Sequence, residues 1–350
     1  MIIVKTFTCL SDVRIRKILT LLKKSHKKII FSGGIFPKVN AEEFKLSNVR
    51  YNYKLRNNSR SGILSLTLLN FRDIVNLKKG DIFYVVDEPP AILLIPVLLW
   101  LKLKKVNLII DLFDSLYLKF NKNILITLLC KLIFKLFDSI LVTDQKRYEE
   151  MNSIVQDSKL VIIENFPFYK KRKVYQKPPK IINLFFYGLL QNSRGWFFIR
   201  QFFDNSKFKI YLAGRDRLDF DLKNLPDNFE LLDLMTPEET LDFMNKKIHW
   251  IFCLYEPTNR NNILASPNKV YDAIHSNCGI ITNSELYISS KIKKENWGIV
   301  ISEYEADLID YENDLINKKD NFFYSENFKR SYSFDQYKNF YSKFKLNNNK

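Results

Sequence analysis

Histidine, cysteine and glycine are all scarce in this chain of 350 residues. The three histidines lie far apart in the sequence, so a metal site built from histidine is not expected. Four cysteines occur without a CxxC pair, and we expect them to be reduced, buried thiols of a cytosolic protein. The nine glycines form no GxGxxG fingerprint, and the pair Gly33–Gly34 is predicted to be only a turn.

Several functional patterns are missing as well. No uncharged apolar run is long enough to span a bilayer, and the first residues do not have the layout of a signal peptide. The sequence offers no Ser/His/Asp set and no DxD motif at a predicted strand end, so no motif requires a divalent metal. With 46% hydrophobic and 27% charged residues, the chain is expected to be globular, with about two domains.

The positive charge is concentrated in the first half of the chain. Residues 1–180 hold 33 Lys and Arg against 15 Asp and Glu, whereas the remaining residues hold 22 against 23. The first half therefore carries the whole net charge of +17. This asymmetry predicts an anionic partner for that half, such as phospholipid headgroups, a lipid phosphate or nucleic acid. The alternative is a lysine-rich surface without a specific partner.

Short apolar runs alternate with helical patterns along the whole chain. The predicted strands lie at residues 2–6, 28–31, 49–53, 81–86, 107–111, 139–142, 160–163, 181–186, 208–213, 229–231, 250–254, 279–282 and 298–301. Predicted helices include one after the first strand, capped by Ser11 or Asp12, and others over 63–76, 91–103 and 123–137.

Repeated strand–helix units of this length imply parallel sheets that are covered on both faces. The charged, proline-containing segment 169–180 is the predicted linker, so one domain spans 1–168 and the other 181–325. Residues 326–350 are predicted to end in a helix. The predicted fold class is α/β, with two doubly wound, Rossmann-like domains that face a ligand-binding cleft.

The stretch ASPNKVYDAIHSNCGIITN, at residues 265–283, is the most informative in the sequence. Ser266 is a suitable N-cap and Pro267 a suitable first helical residue, so a helix is predicted to start there. Gly279 is predicted to end this helix, and a short buried strand follows it.

A helix start with lysine in its first turn suits a phosphate group. Lys269 lies in that turn, and Asp272 follows one turn later on the same side, where a carboxylate is able to bind ribose hydroxyls. The alternative is an ordinary surface helix in which these two residues pair at i,i+3. Taken alone, the stretch favours that alternative, but the rest of the chain favours the nucleotide.

Two C-terminal motifs carry a resemblance to a known family. FYGLLQNSRG, at residues 186–195, and ASPNKVYDAI, at residues 265–274, resemble the donor-binding half of GT-B glycosyltransferases. The likeness is to the large, mostly retaining family 4, or group 1, whose members build bacterial surface polysaccharides. In the first half, SDVRIRKILTLL, IIDLFDS, ILVTDQ and VIIENFP are similar to segments of the same family.

The resemblance implies a site for the diphosphate of a nucleotide sugar. Gly188 would let the backbone approach the diphosphate, and Arg194 would donate charge-assisted hydrogen bonds to it. Lys269 and the helix N–H groups near Asn268 would stabilise the leaving nucleoside diphosphate, with Ser266 beside them. No metal or other cofactor is then expected, because these positive groups replace it.

Other donor contacts depart from the family pattern. Asp272 occupies the place where the family has a glutamate on the ribose. The first glutamate of the family's paired motif is replaced by Leu264, so its sugar contacts are either missing or come from elsewhere, with Glu256 and residues 261–262 as the candidates. Arg215, which follows LAG, is a further candidate, although a surface role is equally compatible with its position.

In the first half, Asp111 and Asp114 of DLFD are the predicted catalytic carboxylates of the acceptor side. The family often has histidine in this region, where the chain has Phe113. The alternative for Asp114 is that it caps a turn. Asp12 is interpreted first as a helix cap and second as an acceptor-site residue, and the pair 87–88 is a weaker candidate.

The resemblance implies a hexosyltransferase that moves a sugar from a UDP- or GDP-sugar to a glycan acceptor with retention of configuration. It also implies that the C-terminal helix, within residues 326–350, returns to the N-terminal domain. The basic, leucine-rich segments AILLIPVLLWLKLKK and NILITLLCKLIFKLF are typical of helices at a membrane interface, or of helices packed on a sheet. A lipid-linked acceptor and a peripheral position on the inner face of the cytoplasmic membrane are therefore predicted, for capsule, lipopolysaccharide or exopolysaccharide synthesis.

Two other function classes stay open at this stage. A catalytically inactive scaffold that binds sugar nucleotides is compatible with Leu264 and Phe113. A nucleic-acid-binding protein is compatible with the basic half, but no known motif supports it and the slightly acidic second half argues against it.

Overall fold

The computed structural model describes residues 1–9, 12–25, 28–35, 45–55, 60–120, 123–178 and 180–343. Ser11, one residue of the predicted linker and the last residues of the predicted C-terminal helix lie outside these ranges. The chain forms two compact units. The first comprises Met1–Glu164 together with the residues from Phe334 onward, and the second comprises Asn165–Ser333.

The first unit is built on a parallel sheet of seven strands. The strand order is β3-β2-β1-β4-β5-β6-β7. These strands are β1 (Ile2–Cys9), β2 (Ile29–Ile35), β3 (Val49–Leu55), β4 (Ile82–Val86), β5 (Asn107–Asp111), β6 (Ser139–Val142) and β7 (Leu160–Ile162). The central strands β1, β4, β5 and β6 contain runs of apolar residues that are buried on both faces, as expected of a sheet covered by helices, whereas the edge strand β3 is only partly buried.

Helices connect these strands. They are α1 (Val13–Ser25), α2 (Arg60–Leu68), α3 (Phe71–Val75), α4 (Glu88–Leu93), α5 (Ile95–Leu103), α6 (Leu116–Lys119), α7 (Ile124–Leu136) and α8 (Gln145–Asn152). Asp12 caps the first helix, because its Oδ1 accepts hydrogen bonds from the backbone N–H groups of Arg14 and Ile15 at 2.9 and 3.2 Å.

The helix predicted over residues 63–76 is wrong as a single helix. Asn70 adopts a left-handed conformation with φ 62° and separates α2 from α3. The fully buried Lys5 donates from Nζ to the carbonyl oxygens of Leu66 and Leu69, which satisfies the end of α2. The helix predicted over 91–103 is likewise divided at Leu94, in front of a proline that cannot continue the hydrogen-bond ladder of the preceding turn.

The turn predicted at Gly33–Gly34 is also wrong, because both residues lie inside β2. A Cβ atom at Gly33 would lie 2.5 Å from the ring of Phe31 and 2.8 Å from the methyl group of Thr6. The glycine is therefore required by close packing on the face of the strand and not by a turn.

The second unit contains a parallel sheet of six strands in the order β10-β9-β8-β11-β12-β13. Its core contains many aromatic side chains, among them Phe186, Phe202, Phe252 and Trp250. The strands are β8 (Ile182–Gln191), β9 (Phe208–Arg217), β10 (Phe229–Leu232), β11 (Trp250–Phe252), β12 (Gly279–Asn283) and β13 (Gly298–Ile301).

The helices of the second unit are α9 (Trp196–Ile199), α10 (Pro237–Lys247), α11 (Arg260–Ile263), α12 (Asn268–His275), α13 (Tyr287–Lys294), α14 (Glu312–Asn317) and α15 (Glu326–Ser331). The prediction that Gly279 ends α12 is wrong. The helix ends at His275, and Asn277 takes the left-handed conformation with φ 54°. Gly279 instead begins β12, where a Cβ atom would overlap the rings of Trp250 and Phe322.

The final helix α16 (Lys338–Lys343) belongs to the first unit and packs against α1. The hydroxyl of Tyr337, just before it, accepts a hydrogen bond of 3.0 Å from the backbone N–H of Glu164. The segment before β8 belongs to the second unit, where Arg172 pairs with Asp242 and Glu238 at 2.9 and 3.0 Å.

Candidate functional site

The candidate site of the second unit lies at the carboxyl ends of its central parallel strands. The loop after β8 carries Arg194, and the start of α12 carries Lys269. The Nζ atom of Lys269 donates a hydrogen bond of 3.2 Å to the carbonyl oxygen of Phe252, the last residue of β11. This contact joins the helix start to the strand end, which is the edge where ligands bind in open α/β sheets.

Gly188 gives this edge an exposed stretch of backbone. It has φ +93°, which favours glycine, and a Cβ atom added there would meet nothing within 4 Å. Its strand partner Gly214 has φ +155°, and a Cβ atom there would overlap the carbonyl group of Gly188. The two glycines therefore allow β8 and β9 to pair closely beside open space.

The guanidinium of Arg194 lies over an aromatic ring and has one nitrogen available for a further hydrogen bond. Its guanidinium carbon is 3.9 Å from the ring centroid of Tyr255. Its buried Nη1 atom has no hydrogen-bond partner among the residues that the structure describes. Buried polar atoms are normally paired, so this atom marks a position where a ligand acceptor is missing.

The prediction that Ser266 caps the helix is wrong. Helix α12 starts at Asn268, and its N-cap residue, Pro267, makes no side-chain capping hydrogen bond. The hydroxyl of Ser266 is buried and has no hydrogen-bond partner within the described part of the chain. The helix start and this hydroxyl are both compatible with an anion that accepts hydrogen bonds from them.

Lys269 is largely buried among aromatic rings. Its Nζ atom lies 5.1 Å from the ring centroids of Phe186 and of Tyr187. Burial, and to a lesser extent the nearby charge of Arg194, lowers the pKa of Lys269 to about 8. An anion bound beside both cations would relieve this unfavourable environment.

Asp272 hydrogen-bonds a tyrosine of β8. Its Oδ2 atom accepts a hydrogen bond of 2.9 Å from the hydroxyl of Tyr187, the residue before Gly188. Burial and the negative charge of Asp272 raise the pKa of Tyr187 well above its usual value. The phenol therefore acts as a stable donor that orients the carboxylate.

The loop after β11 carries Glu256. Its backbone N–H donates to the carbonyl oxygen of Ser193 at 3.0 Å, and its carbonyl oxygen accepts from Asn262 at 2.9 Å. The Glu256 side chain is partly exposed, whereas Leu264 is 2% exposed and belongs to the core. Arg215, on the extension of β9, is exposed.

In the first unit, Asp111 is the buried partner of an ion pair. Its carboxylate is 2.7 Å from Nη2 of Arg14 and accepts a hydrogen bond of 2.5 Å from the hydroxyl of Tyr84. The Asp111 side chain is fully buried. It therefore cannot contact an acceptor without displacing Arg14 or Tyr84, and the geometry favours a structural role.

Asp114 is exposed at the end of the same loop. Asp87 holds this loop, because its Oδ1 accepts from the backbone N–H groups of Phe113 and Asp114 at 2.7 and 3.0 Å. Asp87 has φ 62° and ψ 167°, an unusual conformation for a residue other than glycine. Burial raises the pKa of Asp87, and the charges of Asp114 and Glu88 raise it further.

Glu88 is fully buried beside Asp87. Its Oε1 accepts from the hydroxyl of Ser115 at 2.8 Å and from the N–H of Leu116 at 3.2 Å. Its Oε2 has no hydrogen-bond partner among the described residues. Burial raises the pKa of Glu88 to about 7.

The sequence did not indicate three tyrosines that support the site of the second unit. Tyr187 orients Asp272, and Tyr255 packs on Arg194. Tyr304 accepts from the N–H of Gly195 at 2.9 Å and donates to the carbonyl oxygen of Asn192 at 2.6 Å, which fixes the loop that carries Arg194. The position of Tyr187 next to Gly188 was the only available signal, since Tyr304 lies far away in sequence.

Neither a cluster of metal ligands nor a membrane-spanning helix occurs in the described ranges. No group of three or more His, Cys, Asp and Glu side chains there is arranged to hold a metal ion. Within the same ranges, no helix has the length and apolar character needed to span a membrane.

The fold was compared with known proteins. No protein-family model matches the chain, and no curated protein matches it significantly in sequence. Solved structures do match: a lipopolysaccharide outer core galactosyltransferase, WaaB, is 12% identical with a TM-score of 0.57 and 98% of each chain covered. A sucrose-phosphate synthase from Thermosynechococcus elongatus is 10% identical with a TM-score of 0.63 and 98% of each chain covered.

The HepE protein of Anabaena, whose structure contains UDP and glucose, is 9% identical with a TM-score of 0.60 over 98% of this chain and 95% of HepE. These similarities span almost the whole chain although the sequences have diverged. The predicted α/β class with two Rossmann-like domains is confirmed, and the chain has the GT-B glycosyltransferase fold.

Proposed function

We propose that this chain is a glycosyltransferase that takes a sugar from a UDP- or GDP-sugar. The observation that carries the proposal is a pair of buried polar atoms, Nη1 of Arg194 and Oγ of Ser266, which have no hydrogen-bond partner among the residues that the structure describes. Both occur in segments at the carboxyl edge of the second sheet, where Lys269 adds a second cation. A diphosphate supplies the negative charge and the acceptor oxygens that this arrangement lacks.

The chemistry follows from that arrangement. The bond between the anomeric carbon and the diphosphate oxygen breaks, and the oxygen of an acceptor hydroxyl forms a bond with the anomeric carbon. Arg194, Lys269 and the start of α12 stabilise the negative charge that develops on the leaving diphosphate. We propose that these groups make a divalent metal unnecessary and that the anomeric configuration is retained.

The remaining donor contacts are proposed as follows. The N–H groups near Asn268 contact the diphosphate, and Asp272, oriented by Tyr187, binds the ribose hydroxyls. Glu256 contacts the sugar, because its loop is fixed to the backbone of Ser193. Each contact uses a residue type whose hydrogen-bonding capacity fits that part of a nucleotide sugar.

We place acceptor recognition in the first unit and propose Asp114 as the carboxylate that accepts the proton of the acceptor hydroxyl. Its exposure favours it over the buried Asp111. The proposed acceptor is a lipid-linked glycan of capsule, lipopolysaccharide or exopolysaccharide synthesis. The first half supports this choice, because it carries the whole excess of positive charge.

The proposal is tested in two stages with the full chain. The first stage measures binding of UDP and GDP by calorimetry, and the second measures release of nucleoside diphosphate from a panel of nucleotide sugars with a lipid-linked acceptor. Binding with release supports the enzyme. Binding without release, for every donor in the panel, would support an inactive scaffold, and absence of nucleotide binding would overturn both.

A further inference from the structure

Helix α7 exposes a continuous apolar stripe. Ile124, Leu125, Leu128 and Leu132 are 73%, 74%, 54% and 63% exposed. Their spacing places them along one side of the helix, while the opposite side, with Ile133 and Phe134, packs into the core. Four large aliphatic side chains in one exposed stripe are unusual on a soluble surface and indicate an interaction site.

Helix α5 extends this apolar face. It packs against α7 and exposes Leu99, Trp100 and Leu103. Trp100 also lines a shallow apolar groove with Phe71 of α3 and Pro96. The exposed side chains of the two helices therefore belong to one surface and not to scattered positions. We call this surface, formed by the exposed side chains of α5 and α7, the α5–α7 face.

The charge around this face is predominantly positive. Residues 89–110 and 115–137 contain seven lysines and no Asp or Glu. Lys131 and Lys135 lie on α7 itself and are exposed, and Lys104 lies 5.4 Å from the ring centroid of Trp100. Asp138, which follows α7, pairs with Lys102 of α5, so the other lysines supply an excess of positive charge. An apolar stripe beside such an excess matches the interface of a bilayer that contains anionic lipids.

We propose that the α5–α7 face binds an anionic membrane surface, with α7 lying in the plane of the interface. The four aliphatic side chains of α7 enter the acyl boundary, and the lysines contact lipid phosphates. A second copy of the chain is the other possible occupant of an apolar face. Charge argues against it, because a self-complementary interface would bring together the excess positive charge of both copies.

This inference deepens the proposed function, since a lipid-linked acceptor lies at a membrane, but its test needs no sugar nucleotide. Failure of lipid binding is therefore distinguishable from failure of sugar transfer. The full chain is mixed with vesicles of phosphatidylcholine, either pure or with about 30% phosphatidylglycerol, and bound protein is separated by flotation. We expect affinity at least about tenfold higher for the anionic vesicles, and a strong loss of binding at about 1 M salt.

The fluorescence of Trp100 provides a readout of insertion. Trp196, Trp250 and Trp297 are buried, whereas Trp100 is half exposed. We expect a blue shift on vesicle binding and quenching by lipids with brominated acyl chains, both lost in Trp100→Phe. Vesicle binding without any change in Trp100 fluorescence would show that the contact is limited to surface charge, and it would overturn the proposed insertion.

Variants with matched controls test the apolar contact and the electrostatic contact separately. Leu125→Glu with Leu128→Glu is expected to reduce vesicle affinity at least about tenfold, because two exposed aliphatic side chains that would enter the acyl boundary are replaced by charges. Its control is Leu234→Glu with Ile309→Glu, two residues of the second unit with closely similar exposure, 51% and 75%. Lys131→Glu with Lys135→Glu is expected to remove the preference for anionic lipid, and its control is Lys293→Glu with Lys294→Glu.

All four substituted pairs are exposed, so each variant is expected to keep the circular dichroism and melting temperature of the parent. Equal loss of binding in the variants and in their controls would overturn the proposal. So would a dimer in sedimentation experiments that disappears only in Leu125→Glu with Leu128→Glu, combined with no binding to vesicles. That result would assign the face to a second copy.

Discussion

The guanidinium of Arg194 is stacked 3.9 Å from the ring of Tyr255, and this contact holds a buried, unpaired Nη1 atom in place. The stacking reduces the conformational freedom of the arginine, so little entropy is lost when a ligand binds to it. The relationship explains how a donor without a protein acceptor stays in one orientation.

Arg194→Lys is expected to weaken UDP or GDP binding by roughly tenfold to a hundredfold, because a planar donor is replaced by a point charge that neither stacks nor bonds in the same geometry. Isothermal titration calorimetry checks the change. The control is Arg330→Lys, since Arg330 stacks on Tyr169 at 4.3 Å elsewhere in the second unit. An equal effect of both substitutions would contradict a specific role of Arg194.

Lys269→Met is expected to remove measurable turnover and to weaken nucleotide binding by roughly tenfold to a hundredfold, because a charge-assisted hydrogen bond is lost. Lys291→Met is the matched control, because Nζ of Lys291 also lies between two rings, 5.3 Å from Trp297 and 5.1 Å from Tyr332. Unchanged turnover in Lys269→Met would remove the proposed phosphate role.

Nucleotide affinity is expected to depend on pH through Lys269. Its pKa is lowered to about 8, so the free protein loses this positive charge as the pH rises through that value. Affinity for UDP should therefore fall between pH 7 and 9, by at most about tenfold per pH unit for one proton. In Lys269→Arg the side chain stays charged, and we expect a flatter titration curve. A profile that does not differ between the two proteins argues against this assignment.

The roles of Asp111 and Asp114 are distinguished by measuring both stability and turnover of their alanine variants. Asp111→Ala should lower the free energy of unfolding by about 3–5 kcal/mol, because the charge of Arg14 is left buried without its partner. Asp114→Ala should leave the urea midpoint unchanged and reduce turnover by roughly a hundredfold or more, since a general base is removed. Loss of stability in Asp114→Ala together with loss of turnover alone in Asp111→Ala would assign the structural role to Asp114 and the catalytic role to Asp111.

Glu88→Gln tests the buried carboxyl of the first unit. The pKa of Glu88 is raised from 4.5 to about 7, so the folded state binds more protons than the unfolded state between these values. The free energy of unfolding of the parent should therefore fall as pH rises through this window, by up to about 3 kcal/mol. Urea unfolding at pH 5 and pH 8 measures this difference in the free energy of unfolding. The Glu88→Gln variant should lack the part of the difference that comes from Glu88. A pH profile identical to that of the parent would show that Glu88 is not responsible.

Most of the strands were predictable because they are short apolar runs between turn residues, and a parallel sheet buries such runs on both faces. The breaks within the predicted helices could not be predicted from the sequence. The end of α2 depends on a buried lysine that comes from a strand more than 60 residues away. Local patterns contain no information about such a contact, so periodicity alone predicts a continuous helix.

The donor site was predictable in its positions but not in its contacts. Lys269 and Arg194 were indicated by motif and residue type, and the structure places both at one sheet edge. Ser266 was interpreted as a cap because serine favours that position, yet Pro267 takes it in the structure. The role of Tyr187 in orienting Asp272 depends on the alignment of β8 with α12, which the sequence does not reveal.

The start of α12 has a consequence for the way a ligand acts on the protein. Its N-cap residue, Pro267, makes no side-chain capping hydrogen bond, so an anion that binds there would accept hydrogen bonds from N–H groups of the first turn. Binding of the ligand and ordering of this helical turn are then thermodynamically coupled. Amide hydrogens at the beginning of the helix should exchange with deuterium more slowly once the ligand is bound, while those of the neighbouring strands change little.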